Sequence, residues 1–166
     1  MPEPAALTIV SGGQTGADRA ALDFAIRAGL PHGGWCPRGR RAEDGPLPAT
    51  YALQETPSRQ YDQRTRWNIR DSDATVVFAM RAELSGGTRL TAELTDQLAK
   101  PLLVLTSDET GPLEAAVLLR QFLGDHKPAR LNVAGPRASQ EPEVAAYVDA
   151  VLTAALAGED EAPPSQ

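Results

Sequence analysis

The sequence predicts an α/β fold, a Rossmann-like three-layer sandwich with a mainly parallel central sheet. Three observations predict it. Ala74 to Ala79, "ATVVFA", is an unbroken β-branched and apolar run, the composition of a strand buried on both faces. Short apolar runs alternate along the chain with segments of helical spacing, as in repeated βαβ units. The first such run ends in "SGGQTG", Ser11 to Gly16, a small-residue turn that leads into a helical pattern. In this fold ligands lie at the C-terminal ends of the strands, near a switch in strand order, so that turn sits where a ligand is expected.

Taken in order, Leu7 to Val10 is the first strand and Ala17 to Ala28 the first helix, with Gly29 as its stop. The helix is apolar at nearly every position except Asp18, Arg19, Asp23 and Arg27, which predicts packing against a sheet. "GGWCP" reads as a second short strand, followed by an irregular Arg-rich stretch through Pro48, and Tyr61 to Ile69 as a helix. After Ala74 to Ala79 come a helix from about Leu90 to Ala99, a strand over Pro101 to Thr106 and a helix over Leu113 to Leu123. "RLNVAG" is the last of about five strands, and Val144, Val148, Val151 and Ala155 mark the closing helix.

At 166 residues the chain is long enough for one domain with its own core. A single ligand-binding domain is expected over residues 1–157, and the acidic, Pro-containing "GEDEAPPSQ" over residues 158–166 reads as a disordered tail. The net charge of -6 argues against general nucleic-acid binding, which needs a basic footprint. No apolar run reaches the roughly 18 residues of a membrane span, and "MPEPAALTIV" lacks a basic n-region, so a cytoplasmic location is expected. Cys36 is the only cysteine, which excludes an internal disulfide and makes a Cys-based zinc site implausible; no metal ligands are assigned.

The glycines and arginines are the candidate site. Gly12, Gly13 and Gly16 leave backbone N–H groups open at a helix start, a cradle for an anion, with hydrogen bonds from Gln14 and Thr15. The same glycines also suit a plain tight connection. The turn is neither GxGxxG nor GxxxxGK[ST], and no lysine precedes Lys100, so a dinucleotide oxidoreductase or P-loop NTPase is not expected. A second turn, "ELSGGTRLTAE", places Gly86, Gly87 and Thr88 before a helix, where Ser85 or Thr88 also suits an N-cap. From Arg38 to Arg89 the chain carries nine arginines and seven acids. Arginine matches phosphate and planar polar edges bidentately. Arg64 and Asn68, four apart, share one face of the expected helix and are predicted to line a polar pocket. No acid–base constellation is evident: His32 and His126 belong to no motif, and Glu43, Asp44 and Glu93 are the only carboxylates in suggestive places.

"IVSGGQTGADRAALDFAI", "GGWCPRGRRAEDG", "YDQRTRWNIRDSDATVVF" and "SGGTRLT" together resemble the molybdenum carrier (molybdenum cofactor carrier protein) family, over roughly Leu7 to Ala157. The resemblance implies a non-catalytic carrier that holds molybdenum cofactor, a phosphate-bearing pterin dithiolene, for storage or transfer. Gly12, Gly13, Gln14, Thr15 and Gly16 would then cradle one anionic part of the ligand. Gly86, Gly87 and Thr88 would close on another, and Arg38, Arg41 and Arg64 would supply charge and pterin hydrogen bonds. It further implies a homo-oligomer, a dimer or tetramer, and a cofactor-biosynthesis enzyme or molybdoenzyme as handover partner.

The family is similar in fold to the lysine-decarboxylase-like proteins, which include phosphoribohydrolases carrying PGGxGTxxE. "SGGTRLTAE" keeps Gly86, Gly87 and Glu93 of that motif but has Ser85, Arg89 and Leu90 at its other fixed positions. A nucleotide- or sugar-phosphate N-glycosidic hydrolase is therefore the alternative expectation, with Glu93 as its catalytic residue.

Overall fold

The computed structural model describes residues 6–157, so the predicted tail lies outside the described residues. The elements run β1 (Thr8–Val10), α1 (Ala17–Ala28), β2 (His32–Gly33), β3 (Trp35–Cys36), β4 (Gln54–Glu55), α2 (Tyr61–Arg70), β5 (Ala74–Ala79), α3 (Gly86–Gln97), β6 (Leu102–Thr106), α4 (Pro112–His126), β7 (Arg130–Ala134) and α5 (Val144–Leu152), which ends in a π-helical turn, Thr153–Ala157.

Five strands form one sheet in the order β2-β1-β7-β5-β6, and every neighbouring pair is parallel. Helices α1, α4 and α5 pack together on one face, α2 and α3 on the other, giving the three layers the sequence predicts. All six residues of β5 are buried, which is why its sequence is continuously apolar rather than alternating. Ala74, Val76 and Phe78 meet Ile9, Leu131, Val133 and the inner faces of α1, α4 and α5. Each fully buried Leu, Val or Phe in that cluster contributes about 1.5–3 kcal/mol.

Two strand and helix boundaries differ from expectation, both at glycines. "GGWCP" is not one strand: His32–Gly33 pairs with β1, whereas Trp35–Cys36 pairs with β4 in a separate two-stranded sheet. Gly34, at φ +130, turns the chain out of the main sheet, and a Cβ there would lie 2.4 Å from the Ser11 carbonyl oxygen. Helix α3 starts at Gly86, so both glycines of "SGGT" lie inside its first turn. The poor helix propensity of glycine is overridden by burial of Thr88, Thr91, Leu94 and Thr95 along one face.

A second, smaller core of Leu22, Cys36, Ala42, Leu47 and Leu53 anchors the Arg-rich stretch beside α1. Arg40, held at φ 55, organises that stretch. Its guanidinium donates to the carbonyls of Leu47 (3.0 Å), Pro48 (2.8 Å), Tyr51 (2.7 Å) and Leu53 (3.2 Å). Hydrogen bonds to a charged group are worth about 1.5–3 kcal/mol. Arg40→Ala is accordingly expected to cost about 2 kcal/mol in urea unfolding and to open residues 40–53 to proteolytic nicking, while the main sheet stays protected from exchange.

Candidate functional site

The direction in which strands are added switches around β7. From β1 the sheet grows outward to β2, from β5 it grows outward to β6, and β7 is inserted between the two halves. At the C-terminal ends of β1 and β7 this leaves a cleft of about 660 Å³, its open mouth included. Gly12, Gln14 and Asp18 line it from the first turn, Tyr61, Arg64 and Asn68 from α2, Gly87, Thr88 and Thr91 from α3, and Asn132 to Arg137 from β7 and the loop beyond. A switch in strand order is where open α/β sheets bind ligands.

The floor carries a buried ion pair. Arg64 Nη1 donates to the Gly12 carbonyl at 2.9 Å and lies 3.5 Å from Asp18 Oδ2, with both side chains about nine-tenths buried. Asp18 also accepts the Gln14 N–H at 3.3 Å. Thr15 N–H meets Gln14 Oε1, and Ala17 N–H meets the Pro136 carbonyl. Asp18 thus places a carboxylate against the backbone of the first turn. Burial pushes its carboxyl up to about 6, against the opposing pull of the Arg64 guanidinium.

A raised carboxyl pKa has a defined sign. Between the ordinary 3.8 and about 6 the folded chain holds a proton that the unfolded chain has lost. Stability contributed by Asp18 therefore falls as pH rises through that window. Urea unfolding of wild type and Asp18→Asn across it is expected to show this slope in wild type relative to the variant, in which the group cannot titrate.

Three donors of the cleft residues have no acceptor among the described residues. Gln14 is 5 % exposed. Its Oε1 accepts the Thr15 and Glu43 N–H groups at 3.0 and 2.8 Å, but its Nε2 has no partner among the described residues. A buried amide left in this state costs about 1–3 kcal/mol unless something completes it. Across the cleft, α3 begins without a side-chain cap and without an acid in its first turn. The N–H groups of Gly87 and Thr88 have no acceptor among the described residues, and the helix dipole adds partial positive charge there.

Around Tyr61 three guanidinium groups converge. Those of Arg41, Arg64 and Arg137 lie 4.7, 5.1 and 5.2 Å from its ring centroid. Arg64 is balanced by Asp18, whereas Arg41 and Arg137 have no ion-pair partner among the described residues. Arg137 lines the cleft together with the start of α3, and the exposed Asp62 of α2 is a further carboxylate in the lining.

The predicted site residues fall into two groups. Gly12, Gln14, Arg64, Asn68, Gly87 and Thr88 line the cleft together. Gly13, Thr15, Gly16, Arg38, Arg41 and Gly86 do not line it. Gly13 faces the small core, where a Cβ would lie 2.5 Å from Leu47 Cδ1. Gly16 adjoins the loop after β7, with a Cβ position 2.4 Å from the Pro136 carbonyl oxygen. Thr15 donates to Glu43 and accepts the Ala138 N–H, tying three loops together. Arg38 is exposed, Arg41 stacks on Tyr61 beside the cleft, and Gly86 precedes the lining part of α3. Gly12 is small because Arg64 crosses it; a Cβ would lie 2.4 Å from Arg64 Cδ. Asn68 clamps both the N–H and the carbonyl of Trp35.

Glu43, Asp44 and Glu93 stand outside the cleft lining. Ser139 and Thr15 hydroxyls lower the pKa of Glu43, and a bidentate contact from Arg19 lowers that of Asp44. Glu93 is exposed and accepts from Arg89 Nε at 2.8 Å, on a side of α3 away from Thr91. Asp18, Tyr61 and Arg137 are among the lining residues that sequence reasoning did not single out. Asp18 carried a signal, an acid at the second helical position after a glycine turn, but one equally suited to the helix dipole.

Fold and cleft together define a Rossmann-like α/β protein with a polar cleft at its strand-order switch. The chain belongs to the circularly permutated YpsA SLOG family, whose sequence model matches residues 9–156. It is also similar to the crystal structure of a protein described as "Putative molybdenum carrier protein" from Syntrophus aciditrophicus SB. Identity is 44 % over 93 % of this chain and 98 % of that one, with a TM-score of 0.89. No match is found among curated proteins. Among the described residues no helix is long and apolar enough to cross a membrane, and no group of three His, Cys, Asp or Glu residues could hold a metal ion.

Proposed function

We propose that this protein binds molybdenum cofactor in the cleft and carries or protects it without catalysis. The observation that carries the reading is the buried Gln14 Nε2, a donor without an acceptor among the described residues, on a residue that lines the same cleft as the uncapped start of α3. A phosphate-bearing pterin fits these groups: its anionic end suits Arg64, Gln14 Nε2, the Gly87 and Thr88 N–H groups and Arg137, and its polar ring edge suits the remaining polar side chains of the cleft, such as Asn132 and Gln140. Molybdenum would stay on the cofactor's own sulfurs, and this chain's part is to bind, orient and shield. The exposed start of α4, with Leu113 76 % and Val117 59 % exposed, supports self-association as a dimer or tetramer. A cytoplasmic setting and a cofactor-biosynthesis enzyme or molybdoenzyme as handover partner belong to the same proposal.

Gln14→Glu tests it. The variant keeps an oxygen for the Thr15 and Glu43 N–H groups but replaces the free donor with an oxygen that repels an anion. Wild type is expected to retain cofactor released from a molybdoenzyme through anaerobic gel filtration, and Gln14→Glu to lose it while remaining folded by circular dichroism. Incubation with adenosine, guanosine and pyrimidine monophosphates is expected to release no free base. Sustained release abolished by Glu93→Ala would replace carriage with hydrolysis.

A further inference from the structure

We propose that Asp18 sets the charge of the binding site: its carboxylate sits against the backbone of the first turn, and an anionic ligand entering beside Arg64 is bound together with a proton taken up by Asp18. This rests on the reading that the cleft holds an anion.

The argument is one of charge in a confined space. Asp18 and Arg64 are buried at 3.5 Å on the cleft floor, and both line the cleft. The charged groups that bear on Asp18 are few. Arg64 faces it from α2, and Arg19, on its own helix, is turned toward Asp44 and the Gly13 carbonyl. Arg137, from the loop after β7, lies beyond Arg64 on the Tyr61 ring. No second carboxylate forms a hydrogen bond or ion pair with Asp18 among the described residues. One buried guanidinium therefore balances one buried carboxylate.

An incoming anion must share that guanidinium. Two negative groups on one cation in a water-poor site cannot both stay ionised at little cost, as in paired carboxylates that share a proton. Asp18 is the group that yields, because burial already brings it close to neutrality near pH 6. The balance is simple: carboxylate, solvent proton and anion become carboxylic acid and bound anion, with no other bond made or broken. Linkage is reciprocal, so if an anion raises the proton affinity of Asp18, acid must raise the affinity for the anion. Neither histidine lines the cleft. His32 accepts the Ala52 N–H, and His126 stacks on Phe122 at the end of α4.

Sulfate is the probe, since its charge is constant between pH 5 and pH 8. Its affinity is read from the amide shifts of Gly87 and Thr88 in wild type and Asp18→Asn. Wild type is expected to bind about tenfold more tightly at pH 5 than at pH 8, the factor for one unit of pKa displacement. Asp18→Asn should show the pH 5 affinity at both values. Should that variant fold poorly, the carboxyl carbon of Asp18 in wild type, titrated with and without saturating sulfate, gives the same information; its midpoint is expected to rise. Equal wild-type affinities at the two pH values, or an unmoved midpoint, overturn the proposal and leave the anion site standing. Unchanged Gly87 and Thr88 amides at both pH values remove the anion site and the proposal with it.

Discussion

Gly16→Ala is expected to unfold about 10 °C below wild type. Gly16 sits at φ 82 and ψ -126, a backbone region costly for any residue with a side chain, about 1–3 kcal/mol. The added Cβ would also lie 2.4 Å from the Pro136 carbonyl oxygen and 2.8 Å from the Ala138 nitrogen, both backbone atoms that cannot rotate aside. Overpacking of that kind costs a further 1–3 kcal/mol or so. For a domain of this size each kcal/mol lowers the midpoint by about 2–4 °C. Gly29→Ala is the matched control. It shares a positive φ of 72 but has nothing within 4 Å of its Cβ position, so only backbone strain remains. Equal losses in the two variants would show that the loop after β7 does not close on the first turn.

Arg64→Met is expected to have the second large effect, and one that depends on pH. Methionine restores much of the volume but leaves Asp18 buried without its cation and the Gly12 carbonyl without its donor. Breaking one side of a buried pair costs about 3–5 kcal/mol. That loss should be greatest at pH 8 and smaller at pH 5, where Asp18 is neutral and needs no partner. Adding Asp18→Asn to Arg64→Met should restore part of the lost stability at pH 8, with a coupling of about 0.5–3 kcal/mol in a double-mutant cycle. Arg27→Ala, which removes the exposed ion pair with Asp149 and a contact over the Phe24 ring, should cost about 0–1 kcal/mol. Equal stabilities of Arg64→Met and Arg27→Ala at pH 8 would contradict the buried pair.

Much of the architecture was legible because burial leaves a composition mark. The unbroken "ATVVFA" announced a central strand, and the four-residue spacing of Arg64 and Asn68 put both on the inner face of α2. The expected position of a cleft followed from the alternation of strands and helices, since an open parallel sheet covered by helices on both faces has a switch in strand order. What fills each glycine's missing side-chain space was not legible. A glycine says that something approaches closely, not whether it is a phosphate, the Arg64 guanidinium at Gly12 or the Leu47 methyl at Gly13. Arg137 and Tyr61 escaped notice for a related reason: they meet across the fold, and no local pattern links residues so far apart. Two-residue strands such as β2 and β3 carry too few side chains to show a period, and Gly34, which separates them, looked like part of one strand.

Anaerobic purification from a host that makes molybdenum cofactor, with molybdenum and oxidised pterin both quantified per protein chain, tests the central claim most directly. The account predicts stoichiometric and equal amounts of the two in wild type, both lost in Gln14→Glu, with the variant still folded. Molybdenum and pterin at background in wild type, or undiminished loading of Gln14→Glu, would contradict it.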